Sequence, residues 1–198
     1  MLPLSRPAER AVFIAALLVM TATRFHHTSD WLHLPDASMA LFFLGGLALR
    51  RHRYFIGLLL MSVLIDWAAV TLAGVSDFCI TAAYAALPFA YGALWYAGSA
   101  LHARVGGRSA VALGGVWCVG VLAAAVSFLI SNAAFYWWGG RYADPHWGQY
   151  LARAWQWGPL FVRTTALYLA VALPAGWCVL RWRTTRRNAA SASALELS

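Results

Sequence analysis

Six long apolar runs separated by short polar segments constrain this chain more than any other feature of its sequence. A membrane-spanning helix needs about 20 apolar residues. Only 11% of the 198 residues are charged, whereas ordinary soluble domains carry about 25%. Soluble globular, disordered, disulfide-rich and coiled-coil classes are thereby excluded. We expect a single-domain, all-α polytopic membrane protein with six transmembrane helices, over residues 9–25, 37–50, 54–73, 78–101, 109–138 and 158–182.

The first and second apolar runs and the C-terminal residues differ from an ordinary spanning helix. The second run is short, so we expect it to cross only if its flanks are wetted or it is packed inside the bundle. The first run follows Arg6 and Arg10 like a secretory signal, but no small-residue cleavage site follows it, and we interpret it as a retained helix. Residues 188–198, rich in Ala and Ser, are expected to form a frayed cytoplasmic tail.

The net charge of +8 predicts sidedness in a membrane. Nucleic acid is excluded as a partner, because the arginines lie in short clusters between apolar runs instead of on one polar face. If the amino terminus is inside, most arginines fall in inner loops and most aspartates outside, so both termini are expected in the cytoplasm. The inner arginines are Arg6, Arg10, Arg50, Arg51, Arg53, Arg104, Arg108, Arg181, Arg183, Arg186 and Arg187, against Arg24, Arg141, Arg153 and Arg163 on the outer side.

Asp66 is the most unusual single residue, because it lies inside the third apolar run, roughly 10 Å below the outer end. An ionisable group at such a depth costs about 2.5 to 3.5 kcal/mol on insertion scales, so it normally faces a partner or a cavity. A structural hydrogen bond to another helix is one interpretation. A polar pocket entered from outside is the one we favour.

Cys79 lies in the stretch SDFCITAAY, where the fourth helix is expected to begin. With Ser76 or Asp77 as the cap, Cys79 falls in the first helical turn, where free amides and the helix dipole stabilise a thiolate, although the charge of Asp77 opposes this. Such a thiol is able to bind a soft or borderline metal centre. The alternative is an inert small apolar residue, which suits Cys118 and Cys178.

The remaining polar and aromatic residues leave several alternatives open. Five tryptophans in residues 136–157 predict an interfacial belt or a cover for a large, flat ligand. A zinc site from His26, His27 and Asp30 is weak, because adjacent helical histidines diverge. Transmembrane haem is disfavoured, since no histidine lies at mid-membrane depth. There is no phosphate-binding loop, so no ATP site is expected.

A more specific resemblance is carried by His27, Asp66, Arg153 and the SDFCITAAY segment with Cys79 and Tyr84. Together with the six expected helices and a small-residue ridge at Ala11 and Ala15, these residues resemble the BtuM family. BtuM proteins are solitary cobalamin-specific S-components of energy-coupling factor (ECF) transporters.

That resemblance implies a transporter of the bacterial inner membrane with cobalamin as its ligand and cobalt bound by Cys79, accompanied by loss of cyanide from cyanocobalamin. His27, Asp66, Tyr84 and Arg153 would then hydrogen-bond the corrin amides or the nucleotide-loop phosphate, Arg153 being best suited to phosphate. The tryptophan-rich loop would close over the corrin. The ridge at Ala11 and Ala15 would meet a coupling subunit, if one is used.

Two other functions remain open at this stage. One is a membrane enzyme whose main activity is removal of the upper ligand of cobalamin. The other is a haem-binding or purely structural membrane subunit.

Overall fold

The computed structural model describes residues 4–24, 34–102 and 110–196, and within these ranges the chain is helical with no strand. Six α-helices are present, as expected. They are α1 (Arg6–Arg24), α2 (Ser38–Ala48), α3 (His52–Ala73), α4 (Leu87–Leu101), α5 (Ala110–Trp138) and α6 (Trp147–Glu196). Of these, α3, α5 and α6 are long and apolar enough to cross a membrane.

The short helix α2 occupies the centre of the bundle. It contacts all five other helices, and most of its residues are buried. Phe42 and Phe43 are fully enclosed, and Phe42 stacks on Tyr91 of α4 with ring centroids 4.1 Å apart. Of the two alternatives expected for the second segment, wetted flanks or packing inside the bundle, the second is confirmed. Its brevity is tolerated because protein surrounds it.

Two glycines bring α2 and α4 into backbone contact. A side-chain carbon added at Gly46 of α2 would collide with the carbonyl oxygen of Trp95, and one added at Gly98 of α4 would collide with that of Phe43. Small residues at helix interfaces let the backbones approach closely, so dispersion contacts accumulate along the whole crossing. Ser99 adds a hydrogen bond of 3.1 Å to the Gly46 carbonyl.

The fourth helix begins later than expected. Residues 78–86 were expected to open α4, but the chain forms two 3-10 turns, Asp77–Cys79 and Ala82–Ala86, before α4 starts at Leu87. Gly74 ends α3 in the left-handed conformation, and Thr81, which precedes the second turn, is extended. Extended backbone at Thr81 interrupts the helical hydrogen-bond ladder. The expected helix over 78–101 is therefore wrong in its first part.

The sixth helix is longer than expected at both ends. It begins at Trp147 instead of residue 158 and continues to Glu196, so the frayed tail expected at residues 188–198 is wrong as far as Glu196. Residues 139–146 alone connect α5 and α6. The tryptophan-rich loop that was expected between the fifth and sixth helices is therefore helical from Trp147 onward. The Tyr136 hydroxyl bonds to the backbone of His146 and closes the short connection that remains.

Charged residues collect at opposite ends of the bundle. At one end, Glu9 near the start of α1 accepts a hydrogen bond from Tyr54 at 3.2 Å and pairs with Arg51 and Arg53 at 3.5 and 3.6 Å. At the other end, Arg24 closes α1 beside Asp66 of α3. Residues expected on one side of the membrane thus lie together in the fold.

Candidate functional site

A cavity of about 600 Å³ lies among the helices at the Arg24 end of the bundle. Its size falls within the range of small-molecule binding sites. Polar side chains line two walls of this cavity, one formed by α1, α3, α4 and the segments that precede α2 and α4, and the other by α5 and α6. The walls carry Arg24, Asp36, Asp66, Tyr84 and Tyr91 on the first side and Ser127, Ser131, Asn132, Arg153 and Thr164 on the second.

Arg24 organises the first wall. Its Nε and Nη2 each donate to one oxygen of the Asp66 carboxylate at 2.6 Å, a two-pronged pairing. Its Nη1 donates to Asp36 at 3.1 Å, to Ser38 at 3.0 Å and to Tyr91 at 2.9 Å. A planar guanidinium suits this arrangement because its donors fan out in one plane. The network ties α1, α2, α3 and α4 together around one buried cation.

Asp66 thus fulfils both interpretations that the sequence left open. It makes a structural ion pair with Arg24, and it lines the cavity. Tyr84 donates to the second carboxylate oxygen at 2.5 Å. Because it accepts this bond and two from Arg24, Asp66 keeps little free hydrogen-bonding capacity for a ligand.

The second wall carries polar atoms without partners. Among the described residues, Oδ1 of Asn132 on α5 and Nε of Arg153 on α6 are buried and make no hydrogen bond. The Arg153 guanidinium lies 4.8 Å from the centre of the Tyr142 ring, which holds it in place. Buried polar atoms are almost always hydrogen-bonded in folded proteins. Trp95 Nε1 in the core is unpartnered too, but only Asn132 and Arg153 of these three residues line the cavity, which makes their side chains candidates for contact with a polar ligand.

The turn Asp77–Cys79, hereafter the Cys79 turn, forms part of the cavity surroundings. Its Phe78 lines the cavity, as do Ala83 and Tyr84 of the following turn. Ser76, predicted with Asp77 as a candidate cap of the fourth helix, caps this 3-10 turn instead, since its hydroxyl accepts the Phe78 amide at 3.2 Å. The expected place of Cys79 in the first turn of α4 is wrong. Because α4 starts at Leu87, the dipole of that helix does not act at Cys79.

Other sequence-predicted residues lie elsewhere. His27, with His26 and Asp30, lies outside the described residues. Trp157 lines the cavity, whereas Trp138 and Trp155 are largely exposed, as expected of an interfacial belt. Cys118 and Cys178 are exposed on α5 and α6. Ala11 and Ala15 are exposed on α1, so the small-residue ridge faces away from the bundle.

Sequence reasoning missed Asn132 and the role of Arg24. Asn132 is the only amide in the apolar run of α5, a signal of the same kind as Asp66. Arg24 was placed on the outer side, but its pairing with Asp66 joins residues 42 positions apart and is decided by the packing of α1 on α3.

A second, apolar groove of about 920 Å³ adjoins this site. It is lined mainly by alanines and by Trp137, Trp138 and Trp147, and it shares Ala83 with the cavity. The site therefore combines a polar cavity with an adjoining apolar surface. Neither a protein-family model nor a curated protein matches this chain.

Proposed function

We propose that this chain binds cobalamin at the cavity and carries it across the bacterial inner membrane. The observation that carries the proposal is that Asn132 and Arg153, each with a buried polar atom that has no hydrogen-bond partner, line a cavity bordered by the Cys79 turn. Cobalamin has a flat corrin edged with carboxamides and a phosphate in its nucleotide loop. Arg153 suits the phosphate or an amide oxygen, and Asn132 suits an amide N–H.

The cavity and the apolar groove match the two kinds of surface, polar and apolar, on such a ligand. The cavity offers hydrogen-bonding groups to the corrin edge, while the alanine- and tryptophan-lined groove offers an apolar surface to flat or methylated parts. Neither space alone accommodates the whole of so bulky a ligand. Under the proposal, cobalamin therefore extends over both, with Ala83 at their shared border.

Cys79 would coordinate cobalt from the turn beside the cavity. A thiolate is a strong donor to a soft or borderline metal. Its sulfur would form the Co–S bond on the lower face of cyanocobalamin as the Co–N bond to the dimethylbenzimidazole base breaks, and cyanide would leave the opposite face, the cobalt remaining in its oxidised trivalent state. The thiol proton passes to solvent, and the released cyanide takes up a proton as hydrogen cyanide, so the exchange needs no oxidant or reductant.

The orientation under this proposal has the cavity facing outward and the arginine-rich end inward. Arg51 and Arg53 lie at the end of the bundle opposite to Arg24 and Asp66, which supports the charge-based topology. Six crossings then require α1, α2 and α4 to sit within the membrane beside α3, α5 and α6. The exposed ridge at Ala11 and Ala15 would be available to an ECF coupling subunit, or to lipid if none is used.

The test is the absorption spectrum of purified full-length protein in detergent with added cyanocobalamin. We expect a shift of the corrin bands on binding and release of one equivalent of cyanide. Cys79→Ala should remove the shift and the cyanide release, while Cys118→Ala, an exposed cysteine of α5, should keep both. An identical spectrum in wild-type protein and Cys79→Ala would overturn the role of the thiol.

The same preparation separates carrier from enzyme. A carrier retains its cobalamin and releases at most one cyanide per protein, whereas an enzyme whose main activity is upper-ligand removal processes many molecules. A haem absorption band in place of corrin binding would favour a haem-binding subunit.

A further inference from the structure

The connection between α5 and α6 contacts the Cys79 turn through Arg141. Nε of Arg141 donates to the Phe78 carbonyl at 3.1 Å, and Nη2 donates to the Asp77 carbonyl at 3.3 Å. The guanidinium also lies 5.1 Å from the centre of the Phe78 ring. One side chain thus contacts both residues that precede Cys79.

The other hydrogen bonds of this turn are local. Ser76 accepts the Phe78 amide at 3.2 Å, and the Ile80 amide donates to the Asp77 carbonyl at 2.8 Å. These bonds fix the shape of the turn but not its place relative to the helices. Within the described residues, the hydrogen bonds that join the turn to a distant element come from Arg141. The Phe78 ring also packs on the Phe135 ring of α5, with the ring centroids 5.5 Å apart.

The chemistry of arginine suits this task. The Asp77 carbonyl already accepts the Ile80 amide and takes Arg141 as a second donor, whereas the Phe78 carbonyl needs a donor from outside, because the 3-10 turn stops at Cys79 and no α-helix continues from it. A planar guanidinium presents several N–H groups in one fork and is able to reach two carbonyls together, while its face rests on an aromatic ring. A lysine ammonium is a compact point charge and does not reproduce that geometry.

We propose that Arg141 is a positioning residue that fixes the Cys79 turn beside the cavity and thereby sets how firmly Cys79 holds the metal of the ligand. This inference rests on the proposed function. Arg141 itself does not line the cavity, and it acts through the backbone of the turn. Movement of the α5–α6 connection would consequently be transmitted to the cobalt ligand.

The experiment compares Arg141→Gln and Arg141→Lys with wild-type full-length protein in detergent. Arg163→Gln, at an exposed position on α6, is the matched control. The first readout is hydrogen exchange of the Phe78 and Ile80 amides without ligand, which we expect to be about tenfold faster in both Arg141 variants and unchanged in the control. The second is the cobalt–thiolate absorption shift and the rate of cobalamin dissociation.

With cobalamin, we expect both Arg141 variants to show a smaller absorption shift and dissociation about tenfold faster than wild type. Unchanged exchange at Phe78 and Ile80 in Arg141→Gln would overturn the inference. So would a spectrum that responds to Cys79→Ala but not to Arg141→Gln. A spectrum that does not respond to Cys79→Ala would overturn the proposed function itself, which separates the two failures.

Discussion

At the residue scale, the two walls of the cavity differ in how their polar groups are satisfied. Arg24, Asp66 and Tyr84 hydrogen-bond to one another, so their network holds helices together and leaves little hydrogen-bonding capacity for a ligand. Asn132 and Arg153 keep open atoms. A buried acceptor without a partner costs about 1–3 kcal/mol. Under the proposed function, the side chains that bind the ligand are therefore those on α5 and α6.

Asn132→Leu should separate binding from stability. The change removes an unpaired buried acceptor, so we expect the ligand-free protein to melt a few degrees higher, at about 2–4 °C per kcal/mol. Cobalamin affinity should fall about tenfold. Thermal unfolding followed by tryptophan fluorescence and titration with cobalamin measure the two effects. The control is Ser131→Ala, whose hydroxyl already donates to the Phe128 carbonyl. A lower melting temperature with unchanged affinity would contradict the binding role.

Asp66→Asn should destabilise the fold whether or not ligand is present. The Arg24 side chain is 12% exposed and would lose one of its two carboxylate partners, keeping only Asp36. Breaking such a partly buried pair costs about 2 to 3 kcal/mol. Thermal unfolding checks this against Asp144→Asn, an exposed aspartate in the α5–α6 connection that should have little effect. Equal melting temperatures for the two variants would show that the ion pair contributes nothing to stability.

At the element scale, the contact of α2 with α4 positions the centre of the bundle. Gly46 and Gly98 give each helix a smooth surface where the other's carbonyl approaches. The same pair places Tyr91 of α4 against Phe42 and within hydrogen-bonding distance of Arg24. The cavity wall therefore depends on an interface that lies deeper in the bundle.

Gly46→Ala should force α2 and α4 apart and lower thermal stability by several degrees, because the added methyl meets the Trp95 backbone, which cannot rotate away. The matched control is Gly114→Ala in α5, where an added carbon meets nothing within 4 Å. There the higher helix propensity of alanine should leave stability unchanged or slightly raised. Equal behaviour of the two variants would contradict close packing at Gly46.

At the scale of the whole molecule, the separation of charge into two ends predicts which end faces out. A membrane-impermeant maleimide should label Cys79 in intact spheroplasts when Cys118 and Cys178 are replaced by serine. Ser5→Cys, in a background without the native cysteines, should be labelled only after permeabilisation, because Ser5 precedes α1 at the opposite end. Labelling of Ser5→Cys in intact spheroplasts and of Cys79 only after permeabilisation would reverse the topology.

Much of the fold was predictable from hydropathy alone. The number of helices, the burial of the short α2 and the clustering of charges follow from the energetic cost of placing polar groups in an apolar environment. Helix ends were less predictable. The 3-10 turns before α4 and the early start of α6 depend on hydrogen bonds such as those between Tyr136 and His146, which residue spacing does not reveal.

The sequence by itself determined that this chain is all-helical and apolar, and that Asp66 needs a partner or a cavity. Only the tertiary structure decided that Arg24 is that partner, that Asn132 and Arg153 retain open atoms, and that Arg141 holds the Cys79 turn. The reason is physical: hydropathy and charge act locally along the chain, whereas pairing energies depend on distances between helices remote in sequence.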